Sequence, residues 1–204
     1  MINPSKITNY DLSDNELEEA ILFWILAAGK NGTVAARCLD TLMRKTGGYV
    51  LGPFEAIRLA LRNQNAGWLP FGTYKKLSSW LKESGVGCYN HKARTISELT
   101  DSYIDLRRCT PEDLESIYGI GRKTSRCFIL HSRAKAQCAG LDTHILCFLD
   151  MIGVGAVPKN TPSSKKEYLR LEKEFLDQAK KYDKTPAELD LVVWNELKIA
   201  SKIM

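Results

Sequence analysis

The sequence predicts an all-α protein. Three observations carry this expectation. Apolar residues recur at helical spacing, as in Leu17, Ile21, Trp24, Ile25 and Ala28. Cap residues and prolines mark helix starts along the chain, as in Ser13-Asp14-Asn15-Glu16, Gly52-Pro53-Phe54-Glu55 and Thr110-Pro111-Glu112-Asp113. No alternating apolar-polar run of useful length suggests a strand.

The elements follow in order. Ser13 and Glu16 have capping-box spacing and open the first helix. A second helix spans about Thr33 to Arg44 and is broken by Lys45-Thr46-Gly47-Gly48. Pro53, at a first helical position, starts a third that runs to about Asn63. Gly67 to Gly72 reads as a turn, Thr73 to Ser84 as helix, and Lys92 to Ser102 as a fifth helix. The helix opened by Thr110 and Pro111 carries Leu114, Ile117 and Tyr118 on one side and stops at Gly119. Gly121 follows after a single apolar residue, Ile120, and two glycines this close permit a sharp turn. A helix from Arg122 to about Ser132 then buries Cys127, Ile129 and Leu130. Asp142 opens another that ends near Met151. A Gly- and Pro-rich loop covers Gly153 to Ser164, and helices at 165–181 and 186–203 close the chain. Trp24 and Trp194 are assigned to the core, while Trp68 falls in a turn.

Length and composition bound the possibilities. A chain of 204 residues, 44% of them apolar, can form one compact unit or two small subdomains. No run of eighteen apolar residues exists, so no membrane span is expected. Met1 to Lys6 lack the charged start and apolar stretch of a signal peptide, so a cytoplasmic, DNA-associated location is expected. The six cysteines are Cys38, Cys88, Cys109, Cys127, Cys138 and Cys147. They are scattered without a C-x-x-C pair and read as thiols in a reducing compartment. No heptad pattern appears, and a monomer is the expectation.

The chemistry concentrates in two stretches, Tyr118-Gly119-Ile120-Gly121-Arg122-Lys123-Thr124-Ser125 and Leu141-Asp142-Thr143-His144-Ile145. A glycine turn feeding a helix exposes free N–H groups at the positive end of the helix dipole, a sequence-independent phosphate site. Gly119 to Leu141 contains Arg122, Lys123, Arg126, Arg133 and Lys135 and no acid, although the whole chain is only +5. A charge run alone reads as a solvated helix face, but beside the glycine turn it reads as a footprint for a nucleic-acid backbone. Taken singly, Asp142 reads as a helix cap and Lys123 as a phosphate contact. His144 reads as a structural hydrogen-bonding residue, and His91 and His131 carry no signal of their own.

These stretches resemble the helix-hairpin-helix (HhH-GPD) DNA glycosylase superfamily, closest to its endonuclease III-like branch. Gly87-Cys88-Tyr89-Asn90-His91-Lys92-Ala93 is similar to the Gly-Leu-Tyr-Asn-x-Lys-Ala segment of that branch. The resemblance implies a two-lobed all-α fold. One lobe would hold residues 30–136, with the hairpin at its edge near 111–133. The other would combine 1–29 with 137–204, and DNA would lie across the mouth between them. It also implies a bifunctional DNA repair enzyme, a glycosylase with abasic-site β-elimination lyase activity, acting on a pyrimidine or otherwise altered base in double-stranded DNA.

Residue by residue, Lys123 matches the nucleophilic lysine and Asp142 the essential carboxylate. An ordinary lysine titrates near ~10.4 and must lose its proton to attack, and Arg122 and Arg126 are candidate neighbours for lowering it. The family hairpin implies DNA contacts at Gly119, Ile120, Gly121, Arg122, Thr124 and Arg126. The probing segments imply further contacts at Cys88, Tyr89 and Asn90, with Cys88 in place of a leucine wedge. Lys30 or Asn31 would fill the gap left by a flipped nucleotide, where the family has a glutamine. The four closely spaced cysteines that end the endonuclease III branch are missing after Cys147, so no iron–sulfur cluster, no metal and no other cofactor is expected. The departures leave two alternatives open, a glycosylase-fold enzyme of phage DNA base hypermodification and a non-catalytic hairpin DNA-binding module.

Overall fold

The computed structural model describes residues 2–62 and 74–203, with side chains through Leu197. The expected turn at Gly67–Gly72 with Trp68, and the helix ends expected at Asn63 and Thr73, lie outside the described residues. Among the described residues there is no strand. A short 3-10 turn at Pro4–Lys6 precedes the helices α1 (Asp14–Ala27), α2 (Gly32–Thr46), α3 (Gly48–Leu51), α4 (Pro53–Arg62), α5 (Lys75–Glu83) and α6 (Tyr89–Asp101). These are followed by α7 (Pro111–Glu115), α8 (Arg122–Ser132), α9 (Thr143–Met151), α10 (Lys165–Lys181) and α11 (Pro186–Ile203). None is long and apolar enough to cross a membrane.

Local chemistry sets the helix starts. Ser13 Oγ accepts from the Glu16 amide at 3.4 Å, and Glu16 Oε2 accepts from the Ser13 amide at 2.8 Å. Thr110 and Asp113 repeat this capping box at α7. Each such cap contributes on the order of 1 kcal/mol.

Three boundaries differ from the sequence expectation. The break after α2 contains one further turn of helix, α3. The first helix of the hairpin is a single turn ending at Glu115, so Tyr118 is 37% exposed instead of packed with Leu114 and Ile117. The helix expected from Lys92 begins at Tyr89, because Gly87 and Cys88 both take positive φ (69° and 43°) and reverse the chain abruptly. Tyr89 and Asn90 therefore lie in the first turn of α6, not in a loop.

Two hydrophobic clusters form the interior. The larger joins α1, α2, α4, α5, α6 and α8. The smaller joins Ala139 and Leu141 to α9, α10 and α11. α1 is buried on most of its circumference, with Ile21, Leu22 and Leu26 inaccessible, and all its buried residues belong to the larger cluster. The first helix thus packs with the central helices, whereas the sequence reading grouped residues 1–29 with the C-terminal ones. From Ala20 to Ala27 the helix is apolar all round, and such a stretch sits inside a bundle. α8 is buried continuously from Thr124 to Ser132 and packs against both α1 and α11, so it stands where the clusters meet.

Candidate active site

The hairpin is built from three unlike residues. Gly119 has φ +80°, and a Cβ there would lie 2.1 Å from Thr95 Oγ1 and 2.8 Å from His91 Cε1. Only glycine fits both the conformation and the space. Ile120 is buried and pins the turn to the larger cluster. Gly121 caps α8 with no side-chain hydrogen bond, and no atom lies within 4 Å of where its Cβ would be. The first turn of α8 is therefore open at its positive end. Tyr118 lies beside it, its ring tilted 38° to that of His91 with centroids 4.8 Å apart, and with the Arg94 guanidinium 3.7 Å over its centroid.

The cations expected here are less available than their sequence density suggested. Arg126 is 3% exposed and donates to Glu172 Oε1 at 2.9 Å and to Glu115, with Glu112 3.4 Å away. It is a buried structural cation and not a phosphate contact, because desolvated carboxylates from two other helices consume its donors. Arg122 is half-buried and donates to the Ser163 carbonyl at 2.8 Å. Arg133 donates to the Leu106 carbonyl at 3.0 Å. Thr124 is buried in the body of α8.

Lys123, in the first turn of α8, and Asp142, the residue before α9, line one cleft of about 630 Å³. Phe23, Trp24, His144, Thr161 and Trp194 share its wall. Asp142 is the cap of α9, with Oδ1 accepting from the amides of His144 (2.9 Å) and Ile145 (3.0 Å). Its Oδ2 lies 3.4 Å from His144 Nδ1. Burial would raise the Asp142 pKa, but the His144 hydrogen bond, the Lys123 charge and the Ile145 amide outweigh it, and the carboxyl titrates below its usual range. His144 moves the opposite way, held up by the same hydrogen bond against its own burial. The cleft thus presents an ionised carboxylate within the field of a primary amine.

The sequence reading missed the walls of this cleft. Trp24 packs on the larger cluster, stacked on His131 at 5.4 Å, yet also borders the cleft. Trp194 borders it too, edge-on to His144 at 6.4 Å. Both had been assigned to the core. Trp24 had a signal, since Ile21 and Ile25 take the centre of the apolar stripe and leave it on the margin. Thr161, which donates to the Leu141 carbonyl at 2.7 Å, had none.

The two probing segments also meet. A Cβ on Gly87 would lie 3.1 Å from Lys30 Cε and 3.5 Å from its Nζ, so the exposed Lys30 side chain lies along the turn that ends in the exposed Cys88. Asn31 Oδ1 is engaged as the cap of α2, accepting from Val34 at 2.9 Å. Asn90 Oδ1 accepts from Ser78 Oγ and ties α6 to α5. Tyr89 is half-buried under the Lys82 ammonium, 5.7 Å from its ring centroid. Among the described residues no three His, Cys, Asp or Glu side chains converge as metal ligands would.

Comparisons with known proteins bear on the fold. No family model matches the chain. An 8-oxoguanine DNA glycosylase/AP lyase of Metallosphaera sedula is 32% identical over 134 residues, 61% of this chain and 64% of that protein. The match therefore spans less than two thirds of that relative's length. The 8-oxoguanine DNA glycosylase of Thermotoga maritima superposes with a TM-score of 0.68 at 20% identity, covering 95% of this chain and 86% of the other. The Methanocaldococcus jannaschii 8-oxoguanine glycosylase/lyase, solved with a 15mer DNA containing 8-oxoguanine, superposes with a TM-score of 0.61 at 22% identity, covering 90% and 81%. The all-α glycosylase fold extends over almost the whole chain.

Proposed function

We propose that the chain is a DNA glycosylase of the helix-hairpin-helix superfamily that excises 8-oxoguanine from duplex DNA and cleaves the resulting abasic site. One observation carries the reading: Lys123 and Asp142 line a single aromatic-walled cleft beside an open hairpin. Its size, about 630 Å³, falls in the usual range for a small-molecule site, ~300–1,000 Å³. The names of the matched relatives support an oxidised purine as the altered base.

C1′ and the base are inaccessible in a stacked duplex, so the nucleotide leaves the helix and enters the cleft. Trp24 and Trp194 supply flat faces for it. Lys123 Nζ attacks C1′ as the glycosidic bond breaks, and the base departs with the bonding pair and takes a proton from solvent. Asp142 balances positive charge on the sugar and accepts the proton that the attacking amine gives up. Ring opening, with O4′ protonated, leaves an imine between Lys123 and C1′. Loss of a C2′ proton then breaks the C3′–O3′ bond and releases the 3′ phosphate, and water frees Lys123. These steps need no cofactor.

The Gly121 amide and the amides of the first turn of α8 hold a backbone phosphate, the Ile120 amide being already donated to the Ile117 carbonyl at 3.1 Å. Arg122 and Thr124 shape that turn. Cys88, with Tyr89 and Asn90 behind it, probes the base stack. Lys30 fills the vacated position, since the Asn31 carbonyl already caps α2.

The test uses one duplex with 8-oxoguanine opposite cytosine and another with an abasic site, each with borohydride. The expected result is base release, strand scission and a covalent protein–DNA adduct, all lost in Lys123→Ala while binding persists. A native protein that binds DNA yet releases no base and forms no adduct overturns the reading.

A further inference from the structure

Asp142 reaches the cleft at the end of a buried three-residue segment, Ala139-Gly140-Leu141, that is neither helix nor strand. Such a segment has no ladder to satisfy its backbone, so its hydrogen bonds must come from elsewhere. Four are present, and three end on two side chains of α10. Glu172 Oε1 accepts from the Ala139 amide at 2.9 Å. The Tyr168 hydroxyl donates to the Ala139 carbonyl at 2.7 Å and accepts from the Leu141 amide at 3.1 Å. Thr161 supplies the fourth, at the Leu141 carbonyl.

The same two side chains reach the helix that carries Lys123. Glu172 Oε1 also accepts from Arg126 Nε at 2.9 Å, and the Arg126 guanidinium lies 5.0 Å over the Tyr168 ring. Arg126 follows Lys123 by three residues, on the same side of α8. The segment also touches α8 directly, for a Cβ on Gly140 would lie 2.1 Å from Cys127 Sγ, four residues after Lys123. Tyr168 is wholly buried and Glu172 nearly so. A buried carboxylate shared between a guanidinium and a main-chain amide has little freedom to move.

We propose that Tyr168 and Glu172 of α10 are positioning residues that set the Asp142 carboxylate against Lys123, by bonding the segment before Asp142 and the helix after Lys123 to one rigid pair of side chains. Neither touches the reacting atoms. The proposal rests on the glycosylase/lyase reading for its effect on rate, but its geometry is independently measurable.

The experiment compares native protein with Tyr168→Phe, which removes one oxygen, and with Glu172→Gln. Phe175→Leu, in the same buried cluster but without a bond to the segment, serves as the stability control. Three quantities are read: the single-turnover rate of base release, the Kd for damaged duplex, and the NMR titration midpoint of His144, assigned with His144→Gln. Tyr168→Phe is expected to lower the rate by about tenfold or more, since a misplacement near 1 Å can cost ~100-fold. Kd should stay within about twofold. The His144 midpoint should fall as its carboxylate partner moves away. Glu172→Gln should act in the same direction, and Phe175→Leu should lower the melting temperature while leaving rate and midpoint native.

Native rate and native midpoint in Tyr168→Phe overturn the proposal, as does an equal loss of rate in the Phe175 control. A native protein that releases no base, with the His144 midpoint still shifted by Tyr168→Phe, refutes the reaction and supports the positioning. An inactive native protein with an unmoved midpoint refutes both.

Discussion

At the scale of single residues, Asp142 is asked to do two things. Its Oδ1 caps α9, its Oδ2 faces His144, and the carboxylate lies in the field of Lys123. A protonated His144 stabilises the carboxylate and lowers its basicity, so the amine cannot readily pass a proton to it. Base release should therefore rise with pH as His144 loses its proton, and that occurs above its ordinary value of 6.5. His144→Gln should remove this limb of the pH–rate profile, and an unchanged limb would assign it to another group. The stability consequence has two signs. The folded pKa of His144 is raised, so its contribution is complete below pH 6.5 and is lost as pH climbs through the higher folded value. The folded pKa of Asp142 is lowered, so its contribution is present above pH 3.8 and is lost as pH falls through the lower folded value. Urea melts of native protein and His144→Gln should differ between those limits and converge outside them. Lys123 and Asp142 were legible in the sequence because a glycine turn and a helix cap mark their places. The commitment of Arg126 to Glu172 was not, because forty-six residues separate the pair and nothing in a lone arginine says whether it faces water.

At the scale of the element, the hairpin separates the two things a glycine can do. Gly119 takes φ +80° with Thr95 and His91 pressed against it, so Gly119→Ala meets both strain and overlap. The expected loss is about 1–3 kcal/mol in denaturant unfolding, with DNA binding impaired as the turn distorts. Gly121 has φ −93°, which any residue tolerates, and open space where a side chain would go. Gly121→Ala should unfold within about 0.5 kcal/mol of native. Its methyl group would project where a phosphate approaches the first amides of α8, so DNA affinity should fall several-fold without a change in the salt slope. Equal effects of the two variants on stability would contradict this division. The sequence showed both glycines but not their difference, which depends on α6. Its own start was placed three residues late, because the left-handed turn at Cys88 is one that glycine usually marks.

At the scale of the whole molecule, the helix order and the hairpin followed from caps, prolines and periodicity. The partition into lobes followed less well, because α1 is apolar all round from Ala20 to Ala27 and its pattern names no partner. The structure shows what joins the two clusters. α8 lies between them, and the buried guanidinium of Arg126 meets Glu115 from the hairpin side and Glu172 from α10. Removing one partner of a buried ionic set leaves the others uncompensated, at roughly 3–5 kcal/mol. Arg126→Met keeps the length and apolar stem of the side chain but strands two carboxylates, so it should lower unfolding stability by about that amount. A surface phosphate contact behaves in the reverse manner, with stability little changed and the dependence of DNA affinity on salt flattened by about one unit of slope. Urea unfolding and DNA titration from low to moderate salt therefore distinguish the two roles in one variant. Arg126→Met should fall in the first class, with a native salt slope at temperatures where it remains folded. A stable variant with a flattened slope would return Arg126 to the DNA-binding face and would require the Glu172 bond to open when DNA binds.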